Sequence, residues 1–209
     1  VALNRQRGYE AAVRVSGDTL YAAWRTGEPN LLNNDVAEGP AFAFVTGGGL
    51  DLMLRTDPSI EQPGFRKRLQ KDTAAEGDVR IFITRKGDPD SGPVLAVRYQ
   101  QVGGPGPGRH YDSPVGEVHF DSVQAISGRV RLAQQGGDYE VAIPLDVIGL
   151  QVKPGLETIA NLGVITGNGA EATARYYWSK RVSTMVADIP TEAALQPQGW
   201  NTLRFEAAR

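Results

Sequence analysis

The stretch ATARYYWSK, residues 172 to 180, sets Arg175, Tyr176, Tyr177, Trp178 and Lys180 almost side by side in a chain that is only 8% aromatic. Aromatic rings with cationic and amide groups at their rim suit a pyranose, whose C–H face is apolar and whose edge carries hydroxyls. The same stretch also reads as a core strand, because a Trp in a strand commonly packs inside. Trp24 in TLYAAWRT (19 to 26) poses the same choice, and its shared face with Leu20 and Ala22 points to the core. Asp88 and Asp90 in GDPDSG, or Asn33, Asn34, Asp35 and Glu38 in NNDVAEG, offer the hard oxygens that calcium takes, without an EF-hand spacing. A hairpin turn alone also accounts for Asp, Pro and Gly at 87 to 92. Asp188 and Glu192 could do glycosidase chemistry only if they faced each other across a cleft; beside Pro190 they read as the start of a short helix. Ser113 and His110 have no acid at a recognisable triad spacing.

The bulk composition narrows the classes further. With 209 residues and 41% hydrophobic content, one substantial core and a single domain over 1 to 209 are expected. A formal charge of -2, from 22 Lys plus Arg against 24 Asp plus Glu, supplies no field for polyphosphate, so nucleic acid is not an expected partner. No cysteine is present, which removes disulfides, thiolate catalysis and cysteine-rich zinc sites and leaves the compartment open. No window carries the uninterrupted apolar run of a membrane span, and VALNRQRGYEAA lacks that of a signal peptide. The expectation is a soluble module cut from a longer chain. FRKRLQK (65 to 71) reads as a solvated loop or edge strand.

The elements that would position these residues are short and punctuated by 25 Gly and 13 Pro. Strands are predicted at 9 to 15, 19 to 26, 50 to 56, 78 to 86, 93 to 101, 123 to 134, 138 to 145, 159 to 166, 172 to 180 and 200 to 205. Short helical turns are predicted in LDVIGL (145 to 150) and PTEAALQP (190 to 197), and a long exposed loop in GGPGPGRHYDSP (103 to 114). The pattern is all-β, an antiparallel β-sandwich of immunoglobulin-like or jelly-roll type. If Asn168-Gly169 is the centre of a type I′ turn, Gly163 lies opposite Ala174 and Asn161 opposite Tyr176. One face then carries Asn161, Gly163, Ala174, Tyr176 and Trp178, a small-residue shelf beside an indole. The other carries Leu162, Val164, Arg175 and Tyr177. One extra residue in the connection would exchange the two sets.

A family pattern runs through the chain in order. GGGLDLMLRTDP (47 to 58), GDVRIFITR (77 to 85), DYEVAIPLDVIGL (138 to 150), then ARYYWS (174 to 179) followed by Asp188-Ile189-Pro190 and Trp200, resembles the family-nine-like carbohydrate-binding modules of the DOMON superfamily. The resemblance implies a noncatalytic sandwich from a larger secreted, periplasmic or cell-surface protein. It implies a ligand that is either a glycan or haem b. For a glycan, Trp178 and Tyr176 would stack, Asn161, Arg175 and Lys180 would bond the ring edge, and Trp24 would be a further contact. For haem b, the axial donors available are Met53, Met185, His110 and His119. A sandwich without a small ligand, serving as an interaction domain, is the remaining alternative, and structural Ca2+ at Asp88 and Asp90 accompanies any of these.

Overall fold

A computed structural model describes residues 9 to 64 and 73 to 206; the basic run at 65 to 71 lies outside the described residues. Apolar residues alternate in the first two strands, β1 (Glu10–Ser16) and β2 (Thr19–Arg25), which turn at Gly17 with φ 59°. The following strands are β3 (Gly49–Arg55), β4 (Asp78–Arg85), β5 (Val94–Gln100), β6 (Arg109–Ser113), β7 (Gly116–Phe120), β8 (Ser122–Ala125), β9 (Arg131–Gln135) and β10 (Asp138–Pro144). The one-turn helix α1 (Leu145–Ile148), β11 (Glu157–Gly167), β12 (Ala172–Tyr177), α2 (Ile189–Ala193) and β13 (Asn201–Arg204) complete the chain.

The strands form an antiparallel β-sandwich. One sheet has four strands in the order β1-β2-β10-β9. The other has seven, in the order β12-β11-β3-β4-β5-β8, with β13 pairing the first part of β11. Between them lies the main core, where Leu20, Ala22, Trp24, Val141 and Ile143 meet Leu50, Leu52, Leu54, Val79, Ile81, Ile83, Leu162 and Val164. These are the alternate residues of each strand, as a half-buried pleat requires.

The large sheet is buried on its second face too. Met53, Phe82, Val97, Tyr99, Ile165 and Tyr177 pack there against Phe44, Tyr111, Phe120, Leu195 and Trp200. The cover is the β6–β7 hairpin, α2 and the loops around them, so β3 is buried at all seven of its positions. Edge-to-face ring pairs tie the layers, among them Phe44 with Tyr99 and with Tyr111, each at 5.6 Å between centroids.

Three sequence expectations are corrected. Residues 103 to 114, predicted as loop, end in β6, which pairs with β7 across Pro114 and Val115. The predicted strand at 123 to 134 is two strands: a 3-10 turn at Ser127–Arg129 breaks it, β8 staying in the large sheet and β9 joining the small one. Glycine at 128 and the Ile126 amide donating to the Ala96 carbonyl (2.8 Å) make that corner. The third concerns β11 and β12.

Candidate functional site

The β11–β12 connection sets which side chains face where. Asn168 closes the loop through its amide, which donates to the Glu171 carbonyl (3.1 Å), while its Oδ1 accepts from the amides of Ala170 (3.0 Å) and Glu171 (2.9 Å). Gly167 therefore pairs with Ala172, and the next pair is Thr166 with Ala174. The residue left over, Thr173, is a β-bulge on β12, and one extra residue turns every later side chain to the opposite face. Gly163 lies opposite Tyr177, not Ala174. The predicted faces are exchanged: Asn161, Gly163, Arg175 and Tyr177 share the covered outer face, and Tyr176 and Trp178 turn toward the main core.

Each residue of the predicted sugar site has a definite place. Trp178 is half-buried against the main core, and its amide donates to the Leu162 carbonyl (2.8 Å). Tyr176 is half-buried beside it, and the Tyr9 hydroxyl reaches the Tyr176 and Leu162 carbonyls, each at 3.2 Å. Trp24 is sealed in the core at 1% exposure. Asn161 is fully buried, its Oδ1 accepting from the Ser179 amide at 3.0 Å. Arg175 is 3% exposed, whereas Lys180 is in solvent. Trp24, Asn161 and Arg175 thus differ from the expectation that they line an open ring edge with Trp178.

What the sequence missed is the polar network that holds Arg175. Arg80 forms a two-pronged pair with Asp51, at 2.9 Å from Nε to Oδ1 and 2.7 Å from Nη2 to Oδ2, and both are fully buried. Arg80 Nη1 also donates to the Glu192 carbonyl (2.8 Å), and its guanidinium lies 4.7 Å over the Phe44 ring. Burial is the largest single influence on the Arg80 pKa and would lower it, but the Asp51 charge and hydrogen bond together with the nearby Tyr177 and Tyr99 outweigh it, and the net shift is upward. The Tyr177 hydroxyl donates to Asp51 (3.0 Å), and burial, reinforced by that carboxylate, pushes its pKa up to about 12. Arg175 bonds the Glu192 carboxylate and the Phe44 carbonyl. Glu192 Oε1 accepts from the Asp188 amide (3.1 Å), and Asp188 accepts from the Thr191 amide (3.2 Å) and the Ser113 hydroxyl (2.7 Å). Asp188 and Glu192 therefore start α2 and clamp it to β6 and β12, an arrangement that fixes the cover on the sheet.

The calcium and haem residues are separately placed. Asp88 Oδ1 accepts from the Asp90 amide (3.0 Å), the Ser91 amide (2.7 Å) and the Ser91 hydroxyl (2.9 Å), and Asp90 Oδ1 accepts from Gln134 (3.0 Å). These bonds build the β4–β5 turn. They also hold the Asp88 pKa below the ordinary carboxylate value, the Ser91 amide contributing most. Met53 is buried under the cover, Met185 is exposed, and His110 and His119 stand on the exposed face of the β6–β7 hairpin, so no Met–His pair is brought together. Among the described residues, no three metal-ligating side chains already converge, and no helix is long and apolar enough to cross a membrane.

An open concavity lies elsewhere, on the outer face of the four-stranded sheet. Ala12, Ala23, Glu140 and Ala133 are successive cross-strand partners there, and the three small side chains leave a trough of about 500 Å3. Its rim carries Glu10, Arg25, Asp138, Gln135 and Glu140. Arg25 reaches Glu10 (3.4 Å) and Asp138 (3.5 Å), but all three are well exposed and their pairing is weak. Further along the same face, the Arg14 guanidinium lies 5.0 Å over the Tyr21 ring. Period-two alternation in β1, β2 and β9 places Ala12, Ala23 and Ala133 outward; only the four-strand register gathers them. No family model matches the sequence, and no curated protein matches it.

Proposed function

We propose that this sandwich is a noncatalytic module that binds a glycan in the trough of its four-stranded sheet, as an accessory part of a longer exported protein. The observation that carries the reading is the trough itself: Ala12, Ala23 and Ala133 along its floor, with Glu140 standing between Ala23 and Ala133, and hydrogen-bonding groups at its rim. Alanine methyls accept the apolar face of a sugar ring, and vicinal hydroxyls match the two oxygens of Glu140 or Asp138 and the fork of Arg25. The rim side chains are exposed, and their weak internal pairs exchange for sugar hydroxyls at small cost. Tyr9, next to Glu10, bonds the Tyr176 backbone and so ties β1 to the strand that carries the half-buried Tyr176 and Trp178. A longer glycan passing over β1 would meet those rings.

Calorimetric titration of glycans selected on an array tests this. Ala23→Arg fills the floor and is expected to abolish binding, Glu140→Gln to weaken it at least about tenfold, and Trp178→Ala to weaken only longer glycans. Full affinity in Ala23→Arg, or no binding to any glycan by the unaltered protein, contradicts the reading; the latter result favours an interaction domain.

A further inference from the structure

The chain has two histidines and no cysteine, and the fold makes those two imidazoles direct cross-strand partners: His110 pairs with His119 in the β6–β7 hairpin. Alternation then puts His110, Asp112, Glu117 and His119 on one exposed face, with Asp121 two residues beyond His119. The opposite face, Tyr111, Val118 and Phe120, is buried in the cover. Asp112 sits directly opposite Glu117, an arrangement of like charges that weakens a hairpin unless a cation lies between or beside them.

Each imidazole stands beside one carboxylate, although no three of these donors already converge on one point. His110 Nε2 is 3.4 Å from Glu117 Oε2, and His119 Nε2 is 3.3 Å from Asp121 Oδ1. Both exceed an ordinary N–H···O hydrogen bond. Two donors each about 2.0–2.1 Å from a tetrahedral ion stand roughly 3.3 Å apart. The imidazole centroids are 6.4 Å apart with planes 35° from parallel, so modest rotation of exposed side chains brings both rings onto one ion. Arg109, the neighbouring cation, is held on the other side of the hairpin, 4.7 Å over the Phe42 ring.

We infer that this face of the hairpin binds one divalent transition-metal ion, Zn2+, Ni2+ or Cu2+, through His110 and His119 with Glu117 or Asp121 as a further ligand. Imidazole donors select borderline metals over Ca2+ and Mg2+, which take oxygen. Binding ties the two strands together and stiffens the flap that covers the large sheet. It is independent of the glycan trough, which lies on the other sheet.

The test is a titration of the chain, free of any polyhistidine tag, with ZnCl2 in a non-chelating buffer, followed by calorimetry and by the imidazole NMR signals. One equivalent binds saturably, both histidine ring signals move together, and thermal stability rises. His110→Asn and His119→Asn each weaken binding by at least about tenfold, and the double variant loses it, with its near-UV circular dichroism unchanged. Excess CaCl2 does not compete. Absence of saturable Zn2+ binding, or binding by the double variant equal to that of the unaltered chain, overturns the assignment.

Discussion

Asp51 and Arg80 alternate with Leu50, Leu52, Val79 and Ile81, and as sequence they read as the solvent side of a sheet. They are fully buried because a cover assembled from residues far along the chain closes over them, and that cover carries the groups that satisfy them. Pattern reveals the alternation but not what lies above it; this is why Arg175 reads as a sugar-binding group and stands instead against Glu192. Removing one partner leaves the other charge buried and unpaired. Arg80→Ala is therefore expected to cost about 3–5 kcal/mol in denaturant unfolding, whereas Arg80→Met combined with Asp51→Leu loses clearly less than the two single changes summed. The pair Arg55 and Asp78, with two bonds of 2.7 Å, repeats the arrangement further along the same sheet face. Tyr177 sets an alkaline limit. Its folded pKa, about 12, lies above the ordinary tyrosine value, so its contribution is intact below pH 10 and is lost as pH rises toward 12. Thermal melts between pH 8 and 12 should show a shallower alkaline decline in Tyr177→Phe; an identical slope would remove Tyr177 from that linkage.

The strands themselves were legible, because β-branched and aromatic runs between Gly and Pro identify them, and both short helices fall where Pro144 and Pro190 place them. Register was not. The bulge at Thr173 has no sequence signature stronger than the Asn168-Gly169 pair beside it, and a single residue exchanges the two faces. Strand β6 was hidden by the glycines and prolines before it and is held by Tyr111 packing into the cover, a tertiary effect. The register as observed makes a sharp demand on Gly163: a Cβ there would stand 2.3 Å from Cδ1 of the Tyr177 ring on the neighbouring strand and 2.8 Å from the Tyr176 carbonyl oxygen. Gly163→Ala is expected to destabilise by about 1–3 kcal/mol in chemical denaturation, and Tyr177→Ala made first should lower that penalty by removing the ring contact while leaving the one with the Tyr176 carbonyl. Equal penalties for Gly163→Ala in both backgrounds would mean that ring and backbone are not in contact. Ala174→Gly, which the predicted register would have made the sensitive position, should cost no more than about 1 kcal/mol, the backbone entropy of glycine.

For the molecule as a whole, the sandwich and its antiparallel order follow from the sequence, but the third layer and the place of the open face do not. Aromatic residues drew attention to β12, and they are the residues a double-faced sheet uses to fill itself. The open face is lined by alanines, which carry no signal until four strands are in register. The proposed binding surface is therefore on β1, β2, β9 and β10, on the other sheet from the covered network of Asp51, Arg80 and Arg175. Amide chemical-shift mapping with a saturating glycan tests this most directly. The expected result is a contiguous set of shifts at Glu10 to Ala12, Ala23 to Arg25, Ala133 to Gln135 and Asp138 to Glu140, weakening toward Trp178. Shifts confined to the β6–β7 hairpin, α2 and the covered face of the large sheet would contradict it.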